Sequence, residues 1–583
     1  MVRPLARQKE ARWDTRWRYL ILDGYVDEPA ALGVPPYISP QARSIAGGLV
    51  CGGAPRDRVG YLTVDQWRMS RGKDGGRLPS EGLEAVIILS GCVVPGKYLR
   101  GTPISRREVI ELVSSLDAPL VVITGSAAGQ NSGPGMEICQ GDPGVLGEGV
   151  SASGRVISST RSIEQWNTHL KEGAFISSLH PDHPSPLICE IETSSGCPRF
   201  ISGGCSFCME PGRGPVRFRE PDDIATELRE LASRGVENVR IGGQSDLMSY
   251  LSPDVGRLEV PRPDPEAIRD LMTGVRSALH DGKGVKDAVK RGRRIGIDCG
   301  IIHTDNANPS VIAAYPETSL EALSVIAGEC TSGSVLALGL ESSDPDVKKL
   351  NNLNSDAEEV EEAVRLINRA GGEYGDNGLP RLLPGLNFLG GLPGQTPESF
   401  EFDLELLGSL LDGKLMLRRI NIRKALFPDS RGQYTEKTLS REVEAAFGRF
   451  RKRVRDEYDR GFLSLMLPPG HVLKGVMVEA ASGHVHFGRQ IGSYPLLVGV
   501  EHRAEVGEFI DVAVTDISSR SVTGFSTPFF LDRASFSDLL ALPGIGRRRA
   551  AELFRSVPEG CPHPEKLFPD HPWVLPHLRC GKG

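Results

Sequence analysis

The sequence predicts an α/β chain built from several modules, and three observations carry that expectation. At 583 residues the chain is too long for one hydrophobic core. Over its first three quarters short all-apolar runs alternate with helical stretches, the pattern of parallel strands covered on both faces. Beyond Leu467-Pro-Pro-Gly470 the spacing changes to short strands punctuated by glycine. Net charge is mild, at -7, so any nucleic-acid contact must come from local patches. The eleven cysteines are scattered except for one central cluster, which favours a reducing compartment over a disulfide framework. No apolar run reaches membrane-spanning length and the N-terminus has no apolar core after its charges, so a soluble, cytoplasmic protein without membrane association is expected.

Residues 15–150 read as a Rossmann-like domain. Tyr19–Gly24, Glu84–Gly91 and Pro119–Gly125 are strands ending in glycine, with a helix over Ser105–Leu116 between the last two. Their carboxyl-end loops carry Asp23, Gly24, Gly91, Cys92, Pro95, Gly96, Lys97 and Ser126. The Pro-rich stretch Asp27–Pro40 reads as an ordered loop. Ala127–Gly154, rich in Gly and Ser, reads as a crossing loop or linker, with Cys139 incidental within it.

Residues 184–431 alternate strands and helices again. Strands are expected at Leu187–Thr193, Val236–Ile241, Arg294–Asp298, Val335–Glu341, Gly385–Leu389 and Arg419–Arg423, with a helix at Asp222–Ser233. Six such strands imply a partial (β/α)6 TIM-type barrel, whose functional residues gather at the strands' carboxyl ends. His303 then follows the third strand, either facing the cavity or serving as a satisfied structural histidine.

The loop after the first of these strands holds Cys197, Cys205 and Cys208 among Gly and Pro. A structural zinc wants four ligands, and no fourth Cys or His with pair spacing lies nearby. Three thiolates suit an iron-sulfur cube with one iron open; buried cysteines packed as small hydrophobes are the alternative. Ser195–Arg213, with Phe207 just before the last cysteine, resembles the cluster loop of the radical S-adenosylmethionine (SAM) superfamily. Seven residues separate the first two cysteines here, where three are usual in that superfamily. Further stretches carry the same resemblance. Gly242-Gly243-Gln244 is similar to the Gly-Gly-Glu segment that holds the methionyl amine, with Gln244 keeping a carbonyl acceptor but no charge. Gly339–Ser343 resembles the fourth-strand segment near the ribose, which puts forward Glu341 and Ser342. Leu389–Thr396 resembles the fifth-strand turn near the adenine, with Gly391 in it. The resemblance implies a 4Fe-4S cluster on the three thiols, SAM bound beside it, cleavage to a 5'-deoxyadenosyl radical, and a reductant of ferredoxin or flavodoxin type.

The N-terminal domain resembles that of radical methylthiotransferases, whose cysteines hold a second cluster. Cys92 stands about where one ligand would be, while Asp23-Gly24 and Ser126 occupy the other places. It also looks like a cobalamin-binding domain, but without the Asp-x-His-x-x-Gly signature. A scaffold or substrate-binding domain without its own cofactor is the expectation that remains.

Toward the C-terminus, Arg418–Lys424 and Arg449–Arg455 are local basic runs, the second of them a solvated helix face or a run that follows a phosphate backbone. Residues 470–526 contain strands at Val472–Ala480, His484–Arg489, Leu496–Val500 and Phe509–Val514, which predict a small OB-like β-barrel resembling the TRAM RNA-binding module. Residues 535–556 resemble a helix-hairpin-helix, in which Gly544 and Gly546 let backbone amides meet a phosphate while Arg547, Arg548 and Arg549 add charge. The whole predicts a radical SAM enzyme modifying RNA such as tRNA. The same enzyme acting on a protein or small metabolite, or a nucleic-acid-binding protein with a structural cluster, are the alternatives.

Overall fold

The structure, a computed structural model, describes residues 13–25, 37–74, 78–92, 101–280, 300–428, 434–483, 485–501, 504–556 and 568–580. Near the N-terminus, β1 (Tyr19–Asp23), β2 (Val59–Thr63), β3 (Ala85–Leu89), β4 (Leu120–Thr124) and β5 (Glu137–Ile138) form one parallel sheet in the order β2-β1-β3-β4-β5. The first four strands are buried almost throughout, as continuous apolar runs must be when both faces are covered. The helix Arg106–Ser114 lies between β3 and β4 and opens with a capping box of Ser105 and Glu108. Pro95, Gly96 and Lys97, and residues 27–36 of the Pro-rich stretch, lie outside the described residues.

The linker expected over Ala127–Gly154 is corrected by the structure: Pro143–Ser153 is a helix, capped by Asp142 and with Pro at its first turn. It packs on the helix Pro40–Cys51 at backbone contact. A Cβ on Gly48 would stand 1.9 Å from the Gly144 carbonyl oxygen, and one on Gly147 would stand 2.3 Å from that of Ile45. Glycine here permits close packing between helices, and composition alone read it as a loop.

The central module is built on β6 (Ile188–Ile191), a two-residue ladder of β7 (Ser194–Ser195) with β8 (Arg217–Phe218), β9 (Asn238–Ile241), β10 (Ile302–Thr304), β11 (Asn306–Ala307), β12 (Ser334–Glu341), β13 (Leu382–Gly390) and β14 (Arg419–Lys424). Two parallel sheets, β10-β9-β6 and β11-β12-β13-β14, meet where Asp305 interrupts what is otherwise one strand. Hydrogen bonds from Thr304 N to Ser334 Oγ (3.0 Å) and from Ala337 N to Asp305 O (2.9 Å) stitch them together. The result is the expected partial barrel, with one correction. The predicted third strand, Arg294–Asp298, lies outside the described residues, and residues 302–307 supply the third strand. His303 therefore sits within that strand and is buried. The N-terminal helix Pro40–Cys51 is tied to the barrel by buried Arg43, which pairs with Glu227 and donates to the Glu190 carbonyl.

A short hairpin, β15 (Leu426–Pro428) with β16 (Tyr434–Glu436), precedes the helix Arg441–Arg453. That helix runs through a wide π turn, Val454–Tyr458, into Asp459–Met466. Next come β17 (Val472–Ser482), β18 (Val485–Arg489), β19 (Leu497–Val500), β20 (Phe509–Ile517) and β21 (Ser521–Ser526), a closed barrel in the order β17-β18-β19-β21-β20. Sequence reading missed its fifth strand, β21, which pairs parallel to β19. Val476, Val498 and Val512 of this barrel share an apolar cluster with Val335 and Leu383, so the small barrel is seated against the amino-terminal ends of β12 and β13. The last helices, Phe536–Leu540 and Arg547–Ser556, bury Leu539 and Leu553 against Ala513 and Phe525 of the same barrel. Cys580 is disulfide-bonded. Among the described residues no helix is long and apolar enough to cross a membrane.

Candidate active site

The cysteine loop is built by its own glycines and by two asparagines. The β7–β8 ladder closes the base of the loop, with Cys197 just beyond it. A 3-10 turn over Pro198–Ser202 ends in Gly203 and Gly204, both at positive φ (83° and 65°). A Cβ on Gly204 would come within 2.1 Å of Pro211, so only glycine lets the chain turn back toward Cys205 and Cys208. From the far side, Asn351 accepts from Ser206 N through its carbonyl (3.0 Å) and from Ser206 Oγ through its side chain (2.9 Å). Asn352 Nδ2 donates to the carbonyls of Ser202 (3.2 Å) and Gly204 (2.8 Å). The seven-residue gap is thus an ordered turn. Within it Arg199 is buried, donating to Glu259 (2.7 Å), to Asn352 Oδ1 (3.2 Å) and to Cys205 Sγ (3.1 Å).

All three thiols line one end of a cavity of about 1060 Å³ running down the barrel interior. Among the described residues no three His, Cys, Asp or Glu side chains are gathered for a single metal ion. Burial pushes the Cys205 thiol up to about 12 and that of Cys208 to about 11. Their deprotonation therefore has to be coupled to metal binding.

Beside the thiols the wall presents acceptors without partners among the described residues. Gln244 is buried, its Nε2 donating to the Ile241 carbonyl (3.2 Å), while its Oε1 meets no donor. Asp246 Oδ1 accepts from Met248 N (3.0 Å) and Asn308 N (2.9 Å), while Oδ2 has no donor. Burial raises the Asp246 carboxyl to about 6, against those hydrogen bonds. Glu341 stands at φ 65°, a left-handed backbone rare for a residue with a Cβ, at a bulge in the β12–β13 register. It lines the cavity with no hydrogen-bond partner among the described residues, and burial lifts its carboxyl to about 8, with Arg199 opposing. Buried oxygens left open toward one cavity suit a ligand that brings N–H donors and positive charge, as the amine and sulfonium of SAM do.

The remaining sequence candidates fall in different places. Gly243 lines the cavity at φ 76°, and a Cβ on Gly242 would stand 2.3 Å from Glu190 Oε1. Ser342 and Gly391 are absent from the described lining. Ser342 is fully buried with its Oγ accepting from Asp344 N (3.4 Å), and Gly391, at φ 95°, donates its N–H to Gln395 (2.7 Å). His303 is structural: its Nδ1 accepts from Ser493 N (3.0 Å), pinning the small barrel to the core. On the tail, Arg547, Arg548 and Arg549 are exposed beyond Gly544 (φ 74°) and Gly546. Arg548 pairs with Glu552 (3.2 Å), and Arg549 turns back onto the Gly544 carbonyl (3.1 Å). Sequence reading assigned no role to Arg199, inside the cysteine loop, or to Asp246, two residues past Gln244.

Away from the thiols the lining turns basic and aromatic. Arg240 is sandwiched between Tyr37 (5.0 Å) and Tyr494 (6.0 Å) and pairs with Asp305 and with Glu190 (3.2 Å). Tyr494 donates its hydroxyl to Asp305 (2.5 Å). Phe487, Arg489, Tyr494 and Arg520 of the small barrel line the same cavity as the cysteines.

Comparison with known proteins places this geometry. Residues 191–407 match the Radical SAM superfamily. An uncharacterized protein of Methanocaldococcus jannaschii is 37% identical over 532 residues, covering 87% of this chain and 93% of its own. The tRNA-2-methylthio-N(6)-dimethylallyladenosine synthase of Staphylococcus saprophyticus is 29% identical over 119 residues, 18% of this chain and 22% of its own. Among solved structures, the radical S-adenosylmethionine methyltransferase TsrM from Kitasatospora setae, with cobalamin and a [4Fe-4S] cluster bound, covers 71% of this chain and 73% of its own at a TM-score of 0.44 and 14% identity.

Proposed function

For a chain that belongs to the radical SAM superfamily, and is therefore an enzyme using a 4Fe-4S cluster and SAM, we propose that the substrate is a structured RNA such as tRNA. The observation that carries this reading is the seating of the small barrel, whose Phe487, Arg489, Tyr494 and Arg520 share a cavity with Cys197, Cys205 and Cys208. Its strand order, with β21 inserted in parallel beside β19, supports an OB-type barrel of the TRAM kind. The helix pair that follows, with Arg547, Arg548 and Arg549 exposed around the Gly544 turn, supports a grip on a phosphate backbone. The 119-residue likeness to a tRNA-modifying enzyme points the same way.

When bound, the cluster and SAM supply one-electron cleavage of a sulfonium bond and so hydrogen abstraction from an unactivated carbon. Cys197, Cys205 and Cys208 would hold the cluster; Gly243, Gln244, Asp246 and Glu341 would orient SAM. The chain's remaining work is to place the target and keep water out, which a cavity closed below by the small barrel favours. Enzymes of this superfamily draw on an external reductant; here a ferredoxin or flavodoxin would serve.

The test is nucleoside mass spectrometry of tRNA from cells with and without the gene, followed by incubation of the deficient tRNA with anaerobically reconstituted enzyme and SAM. A nucleoside lost in the deletion and restored in vitro is expected, with 5'-deoxyadenosine formed alongside. Identical nucleoside profiles in the two strains would remove RNA as the substrate. Replacing Arg547, Arg548 and Arg549 by Gln should flatten the salt dependence of RNA binding by roughly 2 to 3 in log–log slope.

A further inference from the structure

The lower half of the cavity contains a group of positive charges that neither the cluster nor SAM accounts for. Arg419 opens β14 and Arg418 stands just before it, Arg455 lies in the π turn, and Arg520 lies between β20 and β21. Two of these four arginines share one carboxylate. Asp459 accepts from Arg455 (2.5 Å) and from Arg520 (3.3 Å). Both of those arginines also donate to the Ile420 carbonyl (3.3 Å each). Arg418 donates to the Tyr494 carbonyl (2.8 Å), and the Arg419 guanidinium lies over the Tyr494 ring at 4.1 Å. Among the described residues no carboxylate lies within ion-pair distance of Arg418 or Arg419. Arg418, Arg419, Arg520 and Asp459 all line the cavity, so these charges face its space.

Like charges crowded in a low-dielectric wall oppose one another. Burial, and then the nearness of Arg419 and Arg520, hold Arg418 down at about 10; burial and Arg455 lower Arg520 in the same sense. An anion placed among them would offset that repulsion, and the planar fork of arginine matches the oxygens of a phosphate in pairs. We propose that Arg418, Arg419 and Arg520 form a binding site for a phosphate or phosphodiester group of the substrate.

The position suits that role. Arg419 pairs with Gly385 and through it with Ala337, whereas Arg423 pairs with Leu389 at the level of the thiol end. Four residues of strand separate the two layers, about 13 Å at the usual rise. A substrate anchored by phosphate at Arg419 therefore extends along the barrel toward the cysteines, past Asn387 and Asn421, which hydrogen-bond each other between the neighbouring strands β13 and β14 (3.1 Å). The site also needs three parts of the chain: β14, the helix beyond the π turn, and the small barrel, which gives Arg520 and Tyr494. This inference deepens the RNA reading above by giving the target nucleotide's phosphate a seat, and it rests on that reading.

The experiment is titration calorimetry on the full-length reconstituted protein with uridine 5'-monophosphate and with uridine, repeated with inorganic phosphate and with acetate as competitors. The wild type should bind the monophosphate about tenfold more tightly than the nucleoside, the worth of one charge-assisted hydrogen bond. Phosphate should compete and acetate should not. Arg419→Gln and Arg520→Gln should each erase the preference, and Arg419→Lys, which keeps charge without the fork, should restore part of it. Equal affinities in the wild type would overturn the site, as would a preference that survives Arg419→Gln in protein with unchanged circular dichroism. Should the nucleoside profiles of tRNA prove identical with and without the gene while the monophosphate preference holds and is lost in Arg419→Gln, the RNA reading falls and the phosphate site stands. Normal tRNA modification by Arg419→Gln with an unchanged KM would count against the site alone.

Discussion

At the thiol end of the cavity the wall offers acceptors and ligands: three cysteines, the unpaired oxygens of Gln244 and Asp246, and the strained Glu341. At the other end it offers donors: Arg418, Arg419 and Arg520, the last of them paired with Asp459. One half is prepared for iron and a cationic cofactor, the other for an anion. The difference lies also in how each half is made. The acceptors sit in glycine-rich loops that leave the carboxyl ends of β6, β9 and β12, close in sequence to the strands that aim them. The donors converge from segments separated by up to about a hundred residues, and meet only because the small barrel packs on the core.

The contrast breaks most completely when a ligand is lost. Cys205→Ala should bring 5'-deoxyadenosine formation to background and lower the iron content of reconstituted protein; full iron loading in that variant would show the thiol to be no ligand. Asp246→Asn acts on the acceptor half alone and should weaken SAM binding about tenfold in equilibrium dialysis while iron content holds. Unchanged affinity would take Asp246 out of the acceptor set. Arg199→Gln removes the donor to Cys205 Sγ, leaving more electron density on that sulfur. The cluster's reduction potential should fall in a titration followed by electron paramagnetic resonance, with Arg199→Lys between the two; an unmoved potential would make Arg199 only a loop brace.

The smallest effect lies behind the donor half, at His303. Burial lowers its folded pKa to about 3, below the unfolded value of 6.5, so the native state resists a proton that the unfolded chain accepts. The stability it contributes is present above about pH 6.5 and is lost as the pH falls toward 3, on the order of 2 kcal/mol by pH 5. His303→Asn should narrow the gap in melting temperature between pH 7.5 and pH 5, and an equal gap would mean that the ring is protonated at little cost.

The two halves also differ in how far the sequence disclosed them. The cysteine loop, the Gly-Gly-Gln turn and Glu341 could be named because a strand followed by glycines and a chemically unusual side chain is a local pattern. Arg418 and Arg419 were visible only as a basic run, and nothing local says that Arg520 and Tyr494 come to meet them. Ser342 illustrates the reverse error: it sits beside Glu341 in the chain, but alternation along the strand end turns it into the core. The helix Pro143–Ser153 was hidden because its glycines serve close helix contact and look, in composition, like a linker.

The π turn at Val454–Tyr458 has a consequence for chain length. A turn of this kind holds one residue more than its α-helical equivalent. Deleting that residue would return the helix to α geometry with its downstream face nearly kept, whereas adding a further one would turn everything downstream by about 100° around the axis. Asp459 would swing away from Arg455 and Arg520, and the arginines would lose their shared counter-charge without any of them being touched. At this point in the chain a length polymorphism is an electrostatic mutation, and the phase of one helix sets the charge of the chamber beside it.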